Sequence, residues 1–306
     1  MRNKLFDIYH SFVSLCKAWN VSLAFKIIIL PKLLHNPNIK HNAILSYLEK
    51  RYSRIIDVYK SEDSTSEGLK SDCPIWICWF QGEEQMPRLV KKCLKSIREY
   101  SGRHEVHIIT MDNFEDYITI PDYILDKVKR KEISLTHFSD IVRSNLLADH
   151  GGIWLDSTIY LTGELESWNL PFFTIKQNRY DDKIFVSAYR WTGFCMGGVK
   201  GNIVNSFMKD FFNEYHKSEK KLLDFFLIDY IIALGYKTIP AIKSLIDAVP
   251  YSNPDLYYIH SNIDKVIRMD EFDEVCKRTC VFKLSYKISQ PQEKQSLYYL
   301  LELDKE

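Results

Sequence analysis

The sequence has 306 residues, of which 46% are hydrophobic and 26% are charged, so the chain can bury a large core and is globular rather than disordered. Its seven cysteines include no CxxC pair and have no histidines beside them at zinc-ligand spacing. No stretch resembles a signal peptide, and none reaches 18 apolar residues. We therefore expect a cytoplasmic protein with reduced, mostly buried thiols and no membrane-spanning segment.

The first 60 residues differ in charge from the rest of the chain. They carry ten Lys and Arg residues against three acidic ones, a balance of +7 within a chain of +1. Apolar residues recur at helical spacing from Leu5 to Trp19, which predicts a helical region. Such helices either pack on the neighbouring domain or hold the protein on an anionic surface, the inner face of the plasma membrane, and both alternatives stay open. We predict a basic helical region and linker at 1–72 and the main domain at 73–306.

Residues 75–110 have the pattern strand, helix, strand. An apolar run covers 75–80, apolar residues then repeat every three or four positions from Met86 to Ile97, and a second β-rich run covers 104–110. A right-handed βαβ unit of this kind predicts an α/β fold with a parallel sheet that binds a nucleotide at its strand ends. The sequence contains no GxGxxG and no P-loop, which excludes a Rossmann dehydrogenase and a Walker ATPase.

Residues 136–162 predict a helix, a sharp corner and a strand that ends at an acidic group. Asp140 and Arg143 are three apart and share a helix face, and the glycines at 151–152 follow the helix where the backbone must turn tightly. A short apolar strand then leads to Asp156, at the end of the sheet where open α/β folds collect ligands. The spacing predicts a pocket walled by these three side chains, although a surface ion pair and a plain turn would explain it equally well.

This segment resembles the DXD-containing sugar transferases of glycosyltransferase family 32, most closely their capsular polysaccharide synthesis branch. The resemblance rests on SDIVR at 139–143 and GGIWLDSTIYL at 151–161. It implies a GT-A-like (Rossmann-like) nucleotide-sugar-binding sheet flanked by helices. It also implies a retaining glycosyltransferase of the hexosyltransferase type, with a UDP-sugar as the expected donor.

The resemblance also implies roles for individual residues. Asp140 and Arg143 would hold hydroxyls of the donor sugar, and Asp156 would contact the ribose and a divalent Mn²⁺ or Mg²⁺. Thr158 stands where the wider family has a second Asp, which is usually the direct metal ligand. Direct metal binding by this chain is therefore left open.

Three candidate contacts to the nucleobase follow the predicted strands. By the same resemblance Trp79, the aromatic near the end of IWICWFQG, would stack on the uracil ring, whereas an aromatic in a strand is otherwise usually part of the core. Asp112 and Asn113 match the place where related enzymes contact the base. Asp-Asn after a strand is equally well explained as turn chemistry.

The second half of the chain contains further candidates. We predict strands at 183–189 and 193–199, in which Gly197 would allow the backbone to approach the donor sugar closely. Asp229 lies in an apolar helix whose FLIDY segment resembles the capsular branch, and it is either an ion-paired structural acid or a carboxylate near the acceptor or the metal. VFKLSYK at 281–287 resembles a late family element that closes over the donor phosphates, which makes Ser285 and Lys287 candidate phosphate contacts.

The predicted function is a glycosyltransferase of surface or capsular polysaccharide synthesis, with Asp140, Arg143, Asp156 and Asp229 as catalytic residues. Its partners would be a nucleotide-sugar donor and a saccharide acceptor, which we expect to be lipid-linked. A non-catalytic donor- or acceptor-binding subunit of a capsule-assembly complex is the first alternative. A hydrolase or phosphotransferase is the second, although the sequence has no nucleophile elbow or paired acid and base motif. Nucleic-acid binding is not expected, because basic residues after position 60 are not interleaved with aromatic ones.

Overall fold

A computed structural model of the protein describes residues 2–64, 67–165, 170–178 and 184–303. Its helices are α1 (Arg2–Ala18), α2 (Val21–Ala24), α3 (Leu30–Leu33), α4 (Asn38–Arg51), α5 (Ser53–Lys60), α6 (Arg88–Glu99), α7 (Asp122–Lys129), α8 (Leu135–Asp149), α9 (Ile203–Ser218), α10 (Leu227–Thr238), α11 (Pro240–Ala248), α12 (Tyr258–Asn262), α13 (Met269–Cys276) and α14 (Leu297–Leu300). Its strands are β1 (Ile75–Cys78), β2 (Val106–Ile109), β3 (Gly152–Leu155), β4 (Ile159–Leu161), β5 (Phe172–Thr174), β6 (Cys195–Gly198) and β7 (Val281–Lys283). A π-helical turn, Phe25–Ile29, joins α2 to α3.

The main sheet has five strands in the order β2-β1-β3-β6-β5 and is mixed. The βαβ unit from β1 through α6 to β2 is confirmed, and β3 lies parallel to β1 on its other side. The prediction of a parallel sheet is wrong for β6, which runs antiparallel to both β3 and β5. Antiparallel neighbours need no crossover helix, and no described residue between β5 and β6 is helical. β4 and β7 form a separate antiparallel pair.

Helices cover both faces of the main sheet. Alternate strand residues, such as Trp76 and Trp154, face one core that is shared with α8, α9 and α10. Their neighbours Ile77 and Leu155 face a second core on the side of α6, whose apolar positions are buried as predicted. A third, smaller core lies around Phe282 of β7 and the C-terminal helices. The sheet is therefore buried on both faces, as an α/β arrangement requires.

The strand predicted at 183–189 is wrong in its described part. Residues 184–190 form turns, and Ala188 and Tyr189 have φ values of 43° and 59°. These left-handed values are incompatible with an extended strand. Lys183 lies outside the described residues. The strand predicted at 193–199 is confirmed in position by β6.

The corner between α8 and β3 has the predicted form. Ser134 caps α8 by accepting a hydrogen bond from the backbone N of His137 at 3.2 Å, and the helix ends at Asp149. Gly151 then takes a φ of 71° and Gly152 a φ of 100°. A Cβ atom on Gly151 would lie 2.5 Å from the backbone N of Lys200, so only glycine fits there.

The N-terminal helices divide into a packed part and an exposed part. Ile44, Leu48 and Ile56 of α4 and α5 are buried in the core that contains α9 and α10. The earlier helices expose large apolar side chains to solvent, and Phe6 and Tyr9 are each 63% exposed. No helix in the described part of the chain combines the length and apolar character that crossing a lipid bilayer requires.

Candidate active site

A cavity of about 690 Å³ lies at the strand ends of the main sheet. The chain goes from β1 to β2 on one side and later returns to β3 on the other, so the C-terminal ends of β1 and β3 lie side by side where the strand order reverses. In open α/β sheets this is where ligands bind. The start of β6 and the end of β7 meet the same point, since Asp156 N donates to Phe194 O and Leu284 N donates to Thr158 O, both at 2.9 Å.

Arg143 lies in the wall of this cavity and links two carboxylates. Its Nη2 is 3.2 Å from Asp140 Oδ1 and 3.4 Å from Asp156 Oδ1, and its guanidinium carbon lies 4.7 Å from the ring centre of Trp154. The side chains of Arg143 and Asp140 are almost fully buried. The predicted ion pair between Asp140 and Arg143 is therefore present, but it is buried and does not lie on the surface. A buried ion pair repays the cost of desolvation only where its geometry is specific.

A cation lies near each carboxylate oxygen of Asp156, with Arg143 at Oδ1 and Lys283 at Oδ2. Oδ1 accepts a hydrogen bond from Trp154 Nε1 at 2.9 Å, and Oδ2 lies 3.6 Å from Lys283 Nζ. Burial acts to raise the pKa of this carboxyl group, but the charges of Lys283 and Arg143 and the Trp154 hydrogen bond outweigh it, so the pKa lies below its usual value. Asp156 is thus an anion, and its side chain keeps 30% of its surface exposed.

Lys283 is the last residue of β7 and contributes the second cation. Its Nζ donates a hydrogen bond to Thr158 Oγ1 and lies 5.4 Å from the ring centre of Phe194. Lys283 is not among the site residues predicted from the sequence. The available signal was its place in VFKLSYK, where a lysine lies between apolar residues of a predicted strand.

Asp229 lies in the first turn of α10 and lines the cavity on the helical side. Its Oδ1 accepts a hydrogen bond from Trp191 Nε1 at 2.9 Å. Burial raises its pKa to about 6, with Trp191 acting to lower the pKa and Asp140 to raise it. Phe225 and Phe226, in the turn before α10, line the same cavity and are 59% and 48% exposed. This side therefore combines a carboxyl group with an exposed aromatic rim.

A pair of buried histidines lies behind the acidic wall. His137 Nδ1 is 3.7 Å from Asp140 Oδ2, and His137 Nε2 lies 2.9 Å from His216 Nε2. Burial lowers the pKa of His216 to about 2, and the charges of His137 and Lys127 act in the same direction. His216 is therefore neutral, and one of the two facing nitrogens donates to the other.

The cavity brings together six of the ten site residues that the sequence predicts. Its lining includes Trp79, Asp140, Arg143, Asp156, Asp229 and Ser285. Trp79 lies edge-on to Tyr286 with ring centres 5.7 Å apart. Its Nε1 is buried and has no hydrogen-bond partner among the described residues.

The other four predicted residues lie outside this lining. Asn113 accepts a hydrogen bond from Thr110 N at 2.8 Å and donates to Ile108 O at 2.9 Å, which is the turn alternative, and Asp112 is exposed beside it. A Cβ atom on Gly197 would lie 2.6 Å from Gly152 O, so its missing side chain fits strand packing rather than a bound sugar. Lys287 borders a separate cavity near the C terminus.

Besides Lys283, the structure adds residues that the sequence analysis did not single out. Trp154 and Trp191 donate hydrogen bonds to the carboxylates of Asp156 and Asp229. Gly193 leaves room for Arg143, because a Cβ atom there would lie 3.0 Å from Arg143 Nη1. The Trp154 contact is local, and its sequence signal was the Trp-Leu-Asp spacing at 154–156. The Trp191 and Gly193 contacts join segments that are distant in sequence and left no such signal.

The residues around Asp156 do not fit direct binding of a divalent metal. No group of three or more His, Cys, Asp or Glu side chains that could hold one occurs in the described part of the chain. Both carboxylate oxygens of Asp156 already face cations, and Thr158 Oγ1 is bonded to Lys283. A metal ion would have to replace the lysine ammonium, and Mg²⁺ and Mn²⁺ prefer sites rich in oxygen ligands.

Comparison with known proteins identifies the family of the chain. Residues 27–301, most of the chain, match a protein family described as "Capsular polysaccharide synthesis protein". No curated protein matches the chain. A solved structure named "PaToxG Glycosyltransferase" is similar over 68% of this chain and 83% of that chain, with 15% sequence identity and a TM-score of 0.39. A similarity at that level carries no inference about activity.

Proposed function

Because the chain belongs to the family of capsular polysaccharide synthesis proteins, we propose that it is a glycosyltransferase that transfers a sugar from a nucleotide-sugar donor, of the UDP type, to a growing surface or capsular polysaccharide. The observation that carries the proposal is the meeting of Trp79, Arg143, Asp156 and Lys283 in one cavity at the strand ends. A nucleoside diphosphate sugar offers an aromatic base, anionic phosphates and hydroxyl groups, and these side chains are complementary to all three.

In the proposed reaction, the cations assist departure of the nucleoside diphosphate. Negative charge grows on the leaving phosphate oxygen as its bond to the sugar breaks, and fixed cations stabilise that charge with little reorganisation. Lys283 and Arg143 supply these cations. The carboxylates of Asp140 and Asp156 keep Arg143 oriented and are available to the hydroxyls of the donor, while the sugar becomes oxocarbenium-like.

We assign Asp229 to the acceptor side of the cavity. Its pKa of about 6 lies in the range in which a carboxyl group can take up and release a proton near neutral pH. It would accept the proton of the attacking acceptor hydroxyl, and the exposed Phe225 and Phe226 beside it offer apolar surface to the acceptor. Retention of configuration, the hexosyl specificity and the GT-A-like arrangement of family 32 stay predictions of the resemblance.

We further propose a lipid-linked acceptor and an anionic membrane surface as partners. The exposed apolar residues Phe6, Tyr9, Val21 and Leu33 in the first helices, together with the +7 balance of residues 1–60, support this part of the proposal. Each basic residue near an anionic surface contributes about 1 kcal/mol to binding.

A non-catalytic subunit would bind the same donor, so the test must measure turnover. We would incubate the protein with UDP-, GDP- and dTDP-sugars and measure release of the nucleoside diphosphate, with and without Mn²⁺. Asp156→Asn keeps the size of the side chain but removes its charge, and we expect turnover to fall by orders of magnitude. Binding without turnover by the wild-type protein would instead favour the non-catalytic alternative.

Asp149→Asn is the matched control for this variant. Asp149 is also an acid paired with a lysine, since Lys209 Nζ lies 2.5 Å from its Oδ1, but it lies at the far end of α8 and outside the cavity lining. We expect Asp149→Asn to retain turnover. Equal losses in both variants would mean that Asp156 has only a structural role.

A further inference from the structure

The side chains of Asp156 and Thr158 are bridged by an ammonium group. Lys283 Nζ donates to Thr158 Oγ1, lies 3.6 Å from Asp156 Oδ2 and donates to Leu284 O at 3.4 Å. Its side chain is 20% exposed and lines the cavity. A positive charge therefore already lies between the first and third side chains of the Asp-Ser-Thr triplet.

The backbone holds this lysine firmly in place. Lys283 pairs with Ile159 in the β4–β7 ladder, and its own N donates to Leu256 O at 2.8 Å. Leu284 N, the next donor along the chain, bonds to Thr158 O at 2.9 Å. Phe194 covers the ammonium from the side of β6. Because strand and triplet are joined on both sides of the lysine, its charge keeps its position relative to Asp156.

We propose that Lys283 takes the place of a divalent metal ion, so that this protein binds a nucleoside diphosphate and activates it as a leaving group without a metal. The inference rests on the proposed function. An ammonium group offers up to three N–H donors and a compact charge, which suits phosphate oxygens. On binding, the diphosphate would share the ammonium with Asp156.

The charge balance around Asp156 supports this inference. The anions of Asp140 and Asp156 are matched by the cations of Arg143 and Lys283, so these four groups have no surplus negative charge to hold a dication. Asp229, the third carboxyl group of the lining, is bonded to Trp191 on the helical side of the cavity. A dication beside Asp156 would also be repelled by two cations that lie 3.4 and 3.6 Å from the same carboxylate. A diphosphate anion is attracted by both cations, and its oxygens can accept hydrogen bonds from the ammonium and the guanidinium in place of the carboxylates.

The experiment is isothermal titration of the full chain with UDP, GDP and dTDP, in excess EDTA and then with added Mn²⁺. We expect the nucleotide that binds best to bind equally well under both conditions. We expect Lys283→Met to weaken that affinity at least about tenfold, the lower end of the contribution of a hydrogen bond to a charged group. Lys283→Arg keeps the charge and should lose less.

Lys209→Met is the matched control. Lys209 is similarly exposed, at 26%, and also pairs with an aspartate, but it lies outside the cavity lining, so its loss should leave nucleotide affinity unchanged. Lys283→Glu provides a gain-of-function test, because it puts a second carboxylate beside Asp156. We expect this variant to bind Mn²⁺, measured by electron paramagnetic resonance without any nucleotide.

Two results would overturn the inference. One is wild-type nucleotide binding that disappears in EDTA and returns with Mn²⁺, which would leave the proposed glycosyltransferase function intact. The other is unchanged nucleotide affinity in Lys283→Met. If none of the three nucleotides binds under either condition, the proposed function itself fails and the inference falls with it. The EDTA comparison uses only wild-type protein, so it holds even if a variant is unstable.

Discussion

Asp229 allows a test that separates catalysis from stability within one side chain. Burial raises the pKa of this carboxyl group from 3.8 to about 6, so the folded protein disfavours its ionised form. The protonated carboxyl group of Asp229 makes a favourable contribution to the free energy of unfolding below pH 3.8. This contribution is lost as the pH rises through about 6. Above that range the wild-type protein carries the full cost of a poorly solvated anion, on the order of 3 kcal/mol at most.

Asp229→Asn removes this cost without removing the Trp191 hydrogen bond. The amide oxygen can still accept from Trp191 Nε1, which lies 2.9 Å from Oδ1. We therefore expect the variant to be more stable than the wild-type protein at pH 8, by about 1 to 3 kcal/mol. The gain should shrink towards pH 4. If Asp229 accepts the acceptor proton, the same variant should lose most of its turnover.

The assay is denaturant unfolding of both proteins at intervals from pH 5 to pH 8, with turnover measured on the same preparations. Asp156→Asn serves as the opposite control. Because the pKa of Asp156 is lowered, its ionised form stabilises the fold at neutral pH, and that stabilisation is lost as the pH falls. Asp156→Asn should therefore be less stable than the wild-type protein at pH 8. A stability difference for Asp229→Asn that is negative at pH 8 or independent of pH would refute this account of the site.

Three further variants address other parts of the molecule. Trp79→Ala should weaken UDP affinity by about 1 to 3 kcal/mol in a titration, because stacking on a base contributes that much, and unchanged affinity would remove Trp79 from the donor site. Gly193→Ala should displace Arg143, since its Cβ atom would lie 3.0 Å from Nη1. We expect turnover to fall clearly while the melting temperature changes little. Normal turnover would show that Arg143 tolerates the shift. The full chain should sediment with anionic vesicles at low salt, less so after Phe6→Ser with Tyr9→Ser; no sedimentation of the wild-type protein would end the membrane proposal.

Local chemistry explains why part of this fold could be predicted from the sequence. The end of α8 and the turn into β3 depend on neighbouring residues, because two glycines must take positive φ where any Cβ atom would collide with the backbone. The spacing of Asp140 and Arg143 likewise fixes their common helix face. Their burial could not be predicted, because it depends on Trp154 and Gly193, which lie against Arg143 only in the folded chain.

Pairings between distant segments account for what the sequence did not reveal. Lys283 lies 125 positions from Thr158, and its role depends on the β4–β7 pair, for which no local signal exists. The antiparallel direction of β6 likewise depends on turns after β5, where Ala188 and Tyr189 take left-handed conformations that their residue types do not suggest. For Asn113 the local sequence was ambiguous, because Asp-Asn after a strand is compatible with either a ligand contact or a turn. The hydrogen bonds of Asn113 are those of a turn.

The packing of α4 and α5 determines how the chain can be shortened. Tyr47 and Tyr52 donate to Glu219 at 2.6 and 3.2 Å, Tyr59 donates to Asp210 at 2.7 Å, and Lys40 pairs with Asp224, next to Phe225, at 2.5 Å. A fragment that starts at residue 73 would therefore expose the apolar surface of α9, remove the tyrosine partners of Glu219 and remove Lys40 from Asp224. Such a fragment should aggregate when expressed, and the rim of the cavity would lose an anchor. Truncations intended to improve solubility should instead stop before α4.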